Sequence, residues 1–366
     1  MNSRLKYIFV LVCLFVIGST SSYASSEEHS LEGEKSLNVK ELILDHLADS
    51  YQWHITTWGD HQIVVSLPVI VKGENSGWNV FSSARFDHGH AAYKGFYIAQ
   101  EGDYKGKIVE KNASGEEIRP WDISITKNAF ALIVCSIITL VLIMSVAGWY
   151  KKNSTAENPK APKGFIGFME MFIMSVNDDI IKPCVGKNYK KFAPYLLTTF
   201  FFIFINNIAG LIPIFPFGAT VTGNIAVTFV LALFTLVIVN IFGTKEYWKE
   251  IFWPDVPTWL KIPIPIMPAI ELVGVFTKPF ALMIRLFANI LAGHSIVLGL
   301  VCLIFVTVKL GTGINASMTV VSVVLTIFIS FVEILVAYIQ AYVFTMLSAV
   351  FIGLAQVEPH HAKKHD

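Results

Sequence analysis

The stretch PFALMIRLFANILAGHSIVLGL, residues 279–300, sets an arginine, Arg285, in the middle of an otherwise apolar segment, with Asn289 and His294 following it. A second apolar stretch near the C-terminus carries Glu333 and Gln340. On insertion-type scales an arginine at the centre of a bilayer costs about 2.5–3.5 kcal/mol, so a chain that keeps one there has a use for the charge. A guanidinium is protonated at any physiological pH, whereas an imidazole and a carboxylate exchange protons. The chemistry open to this set is a fixed positive charge together with a proton-exchanging pair, both in a low dielectric.

The two apolar stretches are joined by LGTGINAS, whose Gly311 and Gly313 mark a tight turn. In an antiparallel hairpin centred near Gly313, residues at the same level have numbers that sum to about 626. His294 with Glu333, and Arg285 with Gln340, both satisfy this within one. Polar groups inside a membrane need partners, and the pairing supplies them. At about 100° per residue, Asn289 lies about 40° round from Arg285, whereas His294 falls on the opposite side of the helix. Glu333 and Gln340 share a face. Arg285 and His294 are therefore expected to serve different surfaces, and His294 with Glu333 to titrate as a coupled pair where they touch.

The elements that must position these residues are membrane helices. Charged residues make up 15% of the 366-residue chain, against about 25% for an ordinary soluble one. The deficit is concentrated in residues 128–355. Apolar spans are expected at about 128–149, 192–212, 221–243, 268–308 and 318–354, each long enough for a bilayer. At 1.5 Å per residue the fourth would run about 60 Å, so it must tilt steeply, kink at Pro279 or extend beyond the hydrocarbon. An amphipathic stretch at about 164–182, GFIGFMEMFIMSVNDDIIK, reads as a helix lying on the membrane.

Residues 1–24 have the basic start (Arg4, Lys6), apolar core and Ser22-Tyr23-Ala24 end expected of a cleaved secretory signal peptide, with an uncleaved first membrane helix as the alternative. Residues 25–122 read as a small extracytoplasmic β-rich domain. HQIVVSLPVIV, GWNVFSSARF, AAYKGFYIAQ and GKIVEK are short β-branched and aromatic runs broken by turn residues. Asp87, His88 and His90 in DHGH are at most a weak metal signal, and scattered Cys13, Cys135, Cys184 and Cys302 give neither a disulfide framework nor a zinc site. A net charge of +1 gives no support for nucleic-acid binding. Lysines crowd the 150–191 and 244–267 connections and, as Lys363 and Lys364, the 358–366 tail, so five crossings with the N-terminus outside and the C-terminus inside satisfy the lysine asymmetry. The fold class is thus an α-helical multi-pass membrane protein ending in a long antiparallel hairpin, its membrane domain spanning 123–357.

KPFALMIRLFANILAGH followed by FVEILVAYIQAYVFTMLSAVFI, with DISITKNAF, NNIAGLIPI and TGNIAVT upstream, resembles subunit a of the F-type ATP synthase over about residues 120–357. The resemblance implies a stator subunit of the Fo sector, with two offset half-channels beside a rotor ring of small hairpin c subunits. It implies peripheral-stalk b subunits as further partners, a bacterial inner-membrane location, no cofactor and no metal. By the same resemblance Arg285 faces the rotor carboxylate and Asn289 and Gln340 are its polar companions. His294 and Glu333 line the outer entrance, with acid and imidazole exchanged between the two helices relative to many bacterial members. Asn206, Asn207 and Asn224 are candidates to line a half-channel, with packing hydrogen bonds as the alternative use.

Two other function classes are open to a chain of this composition. A self-contained transporter would show internal repeats or broken helices around a midplane site, and no repeat is visible. An intramembrane hydrolase would need HExxH, GxSxG or paired aspartates, and the spans contain none.

Overall fold

The computed structural model describes residue 43 and residues 48–58, 61–74, 77–89, 91–112, 115–153, 161–253 and 266–356. The expected signal peptide and the 358–366 tail lie outside them, as does His90. The protein is mostly helical with an N-terminal β-rich region, and it divides into two compact units. One comprises Met1–Val134, Ile212–Ala219 and Ser295–Phe328; the other comprises Cys135–Leu211, Thr220–His294 and Ile329–Asp366.

In the first unit the chain forms three small antiparallel sheets. β1 (Gln52–Trp58) pairs with β2 (His61–Ser66). β3 (Pro68–Gly73) is flanked by β4 (Gly77–Ser82) and by β8 (Trp121–Asp122). β5 (Phe96–Ile98), β6 (Ile108–Lys111) and β7 (Glu117–Ile118) make the third. Alternation along β3 turns Val69 and Val71 onto a core with Tyr51, Phe86, Phe96 and Ile108, all buried. The expected strand run GWNVFSSARF is a strand only as far as Ser82, and the chain turns into a 3-10 helix over Ser83–Gly89. Its Ser83 closes the turn by accepting the Leu67 N–H on Oγ at 3.0 Å.

Tyr51 donates its hydroxyl to Asp122 Oδ2, tying the start of the domain to its last strand. Burial first, and then that hydrogen bond, push the phenol well above its ordinary range. The unfolded phenol ionises near pH 10 while the folded one keeps its proton, so this contribution is complete below pH 10 and fades above it. Tyr51→Phe should cost about 1.5–3 kcal/mol of domain stability at pH 7, the range for a hydrogen bond to a charged group. It should also flatten the loss of stability above pH 10, measured by hydrogen exchange of the core strands. An unchanged alkaline slope would show that Tyr51 is not its source.

The domain is joined to the first long helix, α1 (Lys127–Asn153), by more than the chain. Thr126 accepts the Ala129 N–H on Oγ1, Ser50 O accepts the Lys127 N–H at 2.8 Å, and Asp49 Oδ1 accepts the Asn128 N–H at 3.0 Å. These satisfy N–H groups that a helix start leaves without intrahelical partners, and they place a carboxylate at the positive end of the dipole. Trp53 packs edge-on against both Phe130 and Phe215, which stack on each other.

Among the described residues four helical runs are long and apolar enough to cross a membrane, or five if one bent pair counts as a single span. Besides α1 they are Phe165–Leu211, Met267–Thr307 and Thr312–Ala355. In the Phe165–Leu211 run, α2 (Phe165–Ser175) continues through a π-helical turn, Val176–Ile181, towards α3 (Tyr189–Leu211). A break at Gly186, with φ 75, separates them. The surface helix expected at 164–182 is thus part of an almost continuous run. The bent pair is α4 (Ile225–Ile241) and α5 (Lys245–Phe252), which meet at 101°. The span expected at 221–243 begins with a 3-10 turn, Val221–Gly223, and its helix has only 17 residues. α6 (Ile266–Thr307, 42 residues) and α7 (Thr312–Ala355, 44 residues) are the two longest helices, and Pro279 lies inside α6 without ending it.

The second unit is cored by α3 and the C-terminal half of α7, with Leu196, Phe200, Ile203, Ala341, Phe344 and Ile352 buried together with Leu282 and Leu286 of α6. Close approach is allowed by Gly353, where any Cβ would overlap the Cys184 backbone. This packing fixes the rotation of α6 and α7, and hence the direction of the polar residues they carry.

Candidate functional site

α6 buries Leu282, Met283 and Leu286, which leaves Ala281, Ile284, Arg285, Ala288 and Asn289 on its exposed side. Arg285 therefore points away from the unit's core from near the middle of a 42-residue apolar helix. Among the described residues it makes no ion pair and no hydrogen bond. Gln340 of α7, expected at the same level, is 6% exposed. Among the described residues no hydrogen bond joins the two.

The other pair does meet. His294 Nδ1 lies 3.2 Å from Glu333 Oε1, and the side chains are 16% and 13% exposed. The imidazole nitrogen and the carboxylate are thus within proton-transfer distance, in a site that water reaches only in part. Hairpin counting anticipates this contact.

Gly293 makes the approach possible. A Cβ at this position would fall 2.5 Å from Glu333 Oε1 and 3.3 Å from its Cδ, too close for either atom to stay. The sequence reading passed over Gly293, yet its number and that of Glu333 also sum to the hairpin value. A glycine directly opposite an acid was the available signal.

The three asparagines divide by use. Asn207, 3% exposed, accepts the Thr222 hydroxyl on Oδ1 at 2.6 Å and donates Nδ2 to Ala337 O at 3.5 Å. It ties α3 to the 3-10 turn and to α7, and Thr222 is a partner the sequence did not reveal. Asn224 caps α4, its Oδ1 accepting the Ala226 N–H at 2.9 Å. An asparagine just before an apolar helical run is a recognisable N-cap signal. Asn206, 1% exposed, donates Nδ2 to Phe202 O at 2.7 Å and leaves Oδ1 buried without a partner. Of the three, Asn206 alone leaves a buried side-chain oxygen without a partner among the described residues.

No cluster of three or more metal-ligating side chains occurs among the described residues. The arrangement offers a cation on the exposed side of α6, and an acid–imidazole pair formed between His294 of α6 and Glu333 of α7.

The sequence matches the family model described as "ATP synthase A chain" over residues 131–353, and a domain of unknown function, DUF8433, over residues 42–125. It is 45% identical over 248 residues to "ATP synthase subunit a" of Chlorobium phaeobacteroides, covering 66% of this chain and 68% of that one. It is 44% identical over 259 residues to "ATP synthase subunit a 2" of Chlorobaculum tepidum, covering 68% and 67%. The "ATP synthase subunit a" of Chloroherpeton thalassium is 38% identical over 250 residues, with 67% and 70% covered.

Proposed function

Because the chain belongs to the ATP synthase A chain family, we propose that it is the proton-conducting stator subunit of the Fo sector, with Arg285 meeting the carboxylate of a rotor ring. The observation that carries this reading is the exposure of Arg285, without an internal partner, midway along an apolar membrane helix. A permanent cation there requires an anion from outside the chain. A ring of small c subunits, each bringing one carboxylate past the same point, supplies it in turn.

The chemistry follows from charge and dielectric. A neutral carboxylic acid arriving from the bilayer is stabilised by the low dielectric, and the guanidinium beside it favours the ionised form. The acid therefore gives up its proton at Arg285 and takes another after passing. The fixed charge also repels a proton that would otherwise run directly between two offset half-channels. His294 and Glu333 form the relay at the outer half-channel, each alternately accepting and releasing a proton. Asn289, on the face of Arg285, and Gln340 supply neutral hydrogen bonds near the ring carboxylate, and Asn206 is the best placed of the asparagines to face a channel water. The chain moves protons and makes no ATP by itself.

In this reading the N-terminal β domain is extracytoplasmic, the C-terminus is cytoplasmic, and α6 and α7 form a steeply tilted antiparallel hairpin in the bacterial inner membrane. Helices of this length run about 63–66 Å at 1.5 Å per residue, against a hydrocarbon core of about 30 Å. Peripheral-stalk b subunits are the expected stationary partners.

Ala288→Cys, on the exposed face of α6 beside Arg285, tests the contact when labelled with a photoactivatable maleimide in intact membranes. Illumination should link it to a ring subunit, while Met144→Cys on the exposed side of α1 should not. Absence of any ring adduct at position 288 in assembled complex would defeat the reading.

A further inference from the structure

The β4–β3–β8 sheet has one face in the domain core and a second face that is also apolar. Lys72 of β3 stands opposite Trp78 of β4 and Trp121 of β8. One pair further along, Ile70 stands opposite Val80, and it accepts the Ile123 N–H at 2.9 Å on its other side. Two cross-strand rows result, Trp78–Lys72–Trp121 and Val80–Ile70–Ile123, all on the side away from Val69 and Val71. Trp121 is 76% exposed, Val80 67%, Ile123 60% and Trp78 57%. An antiparallel sheet with one face in water normally alternates apolar and polar residues. This one presents five large apolar side chains and a single lysine, with no acid among them. A contiguous patch of this kind marks a surface that is covered in use.

We propose that this face lies on the outer leaflet, at the boundary between headgroups and acyl chains of the bilayer that α1 enters. Three observations favour lipid over a protein partner. The first is composition: tryptophans flanking a lysine, with the ammonium 5.9 Å from the Trp78 ring centroid, match the amphipathic side chains that concentrate at membrane interfaces. The second is reach. Ile123 is four residues before the start of α1, no more than about 14 Å of extended chain. The third is the bonded junction. Ser50, Asp49 and Thr126 hold the domain to the first turn of α1, so the sheet cannot swing freely away from the level at which that helix enters lipid.

The inference goes beyond the stator reading and does not use Arg285. It is tested on the intact complex in lipid nanodiscs, in a background whose native cysteines are serines and which still pumps protons. Val80→Cys and, as control, Asp103→Cys in an exposed turn are labelled with an environment-sensitive fluorophore. At position 80, nitroxide-bearing lipid should quench several-fold more strongly than at 103, iodide several-fold less, and the emission should be blue-shifted. Equal iodide quenching at both positions would overturn the proposal by showing a wet face. Protection at position 80 from lipid nitroxide and iodide alike would also overturn it, and would assign the face to protein: another subunit, a second copy, or the chain N-terminal to residue 43.

Discussion

Arg285→Ala should abolish ATP-driven acidification of inverted membrane vesicles, with the rotary complex still assembled by blotting and native gel. The expectation rests on magnitude. Two opposite unit charges about 4 Å apart interact by about 4 kcal/mol at an effective dielectric of 20, which corresponds to about three pKa units on the carboxylate. Without the guanidinium the ring acid keeps its proton at the stator, and the barrier between the half-channels is lost. Lysine is a partial substitute at best, because its ammonium is shorter, more strongly hydrated and able to give up its proton when desolvated. Arg285→Lys should therefore recover little or none of the pumping. Normal pumping by Arg285→Ala would make the arginine structural and reopen the transporter alternative.

Glu333→Gln has the second largest effect. The amide keeps the size of the side chain and a hydrogen bond to His294 but cannot carry a proton. Proton flux should fall about a hundredfold, the lower end of what a positioned proton-transfer group contributes. Glu333→Asp should retain more flux, since it keeps the acid and loses only reach. Gly293→Ala acts on the same pair without removing either group, because the added carbon displaces the carboxylate from His294 Nδ1. It should lower flux while leaving the ring cross-link from Ala288→Cys intact. A purely structural His294–Glu333 pair predicts the reverse for Glu333→Gln: near-normal flux and a lower midpoint of thermal denaturation.

These residues were legible because long membrane helices are regular. The extents of α6 and α7 follow from uninterrupted apolar character, and with the hairpin centred near Gly313, counting places Glu333 opposite His294. Side-chain direction was not legible by counting: Leu282, Met283 and Leu286 are buried, while Arg285 is on the exposed side of α6. The bend after Ile241 was hidden because hydropathy does not record axis direction, and Gly243 with the Thr244 cap reads equally well as the end of a span. In the β domain, β7 and β8 have two residues each, too few to show alternation, so the second face of their sheets is visible only after the strands are paired.

The seam between Thr126 and Lys127 has a consequence for modularity. Family boundaries at residues 125 and 131 suggest two separable parts. The first turn of α1, however, borrows its acceptors from Asp49 and Ser50, more than seventy positions upstream. A truncation beginning at Ile125 would remove both acceptors and leave amide protons bare at the lipid boundary. Transplanting this membrane unit onto another leader therefore calls for a replacement carboxylate ahead of Lys127, and the β domain behaves as a detachable accessory only after that substitution has been made.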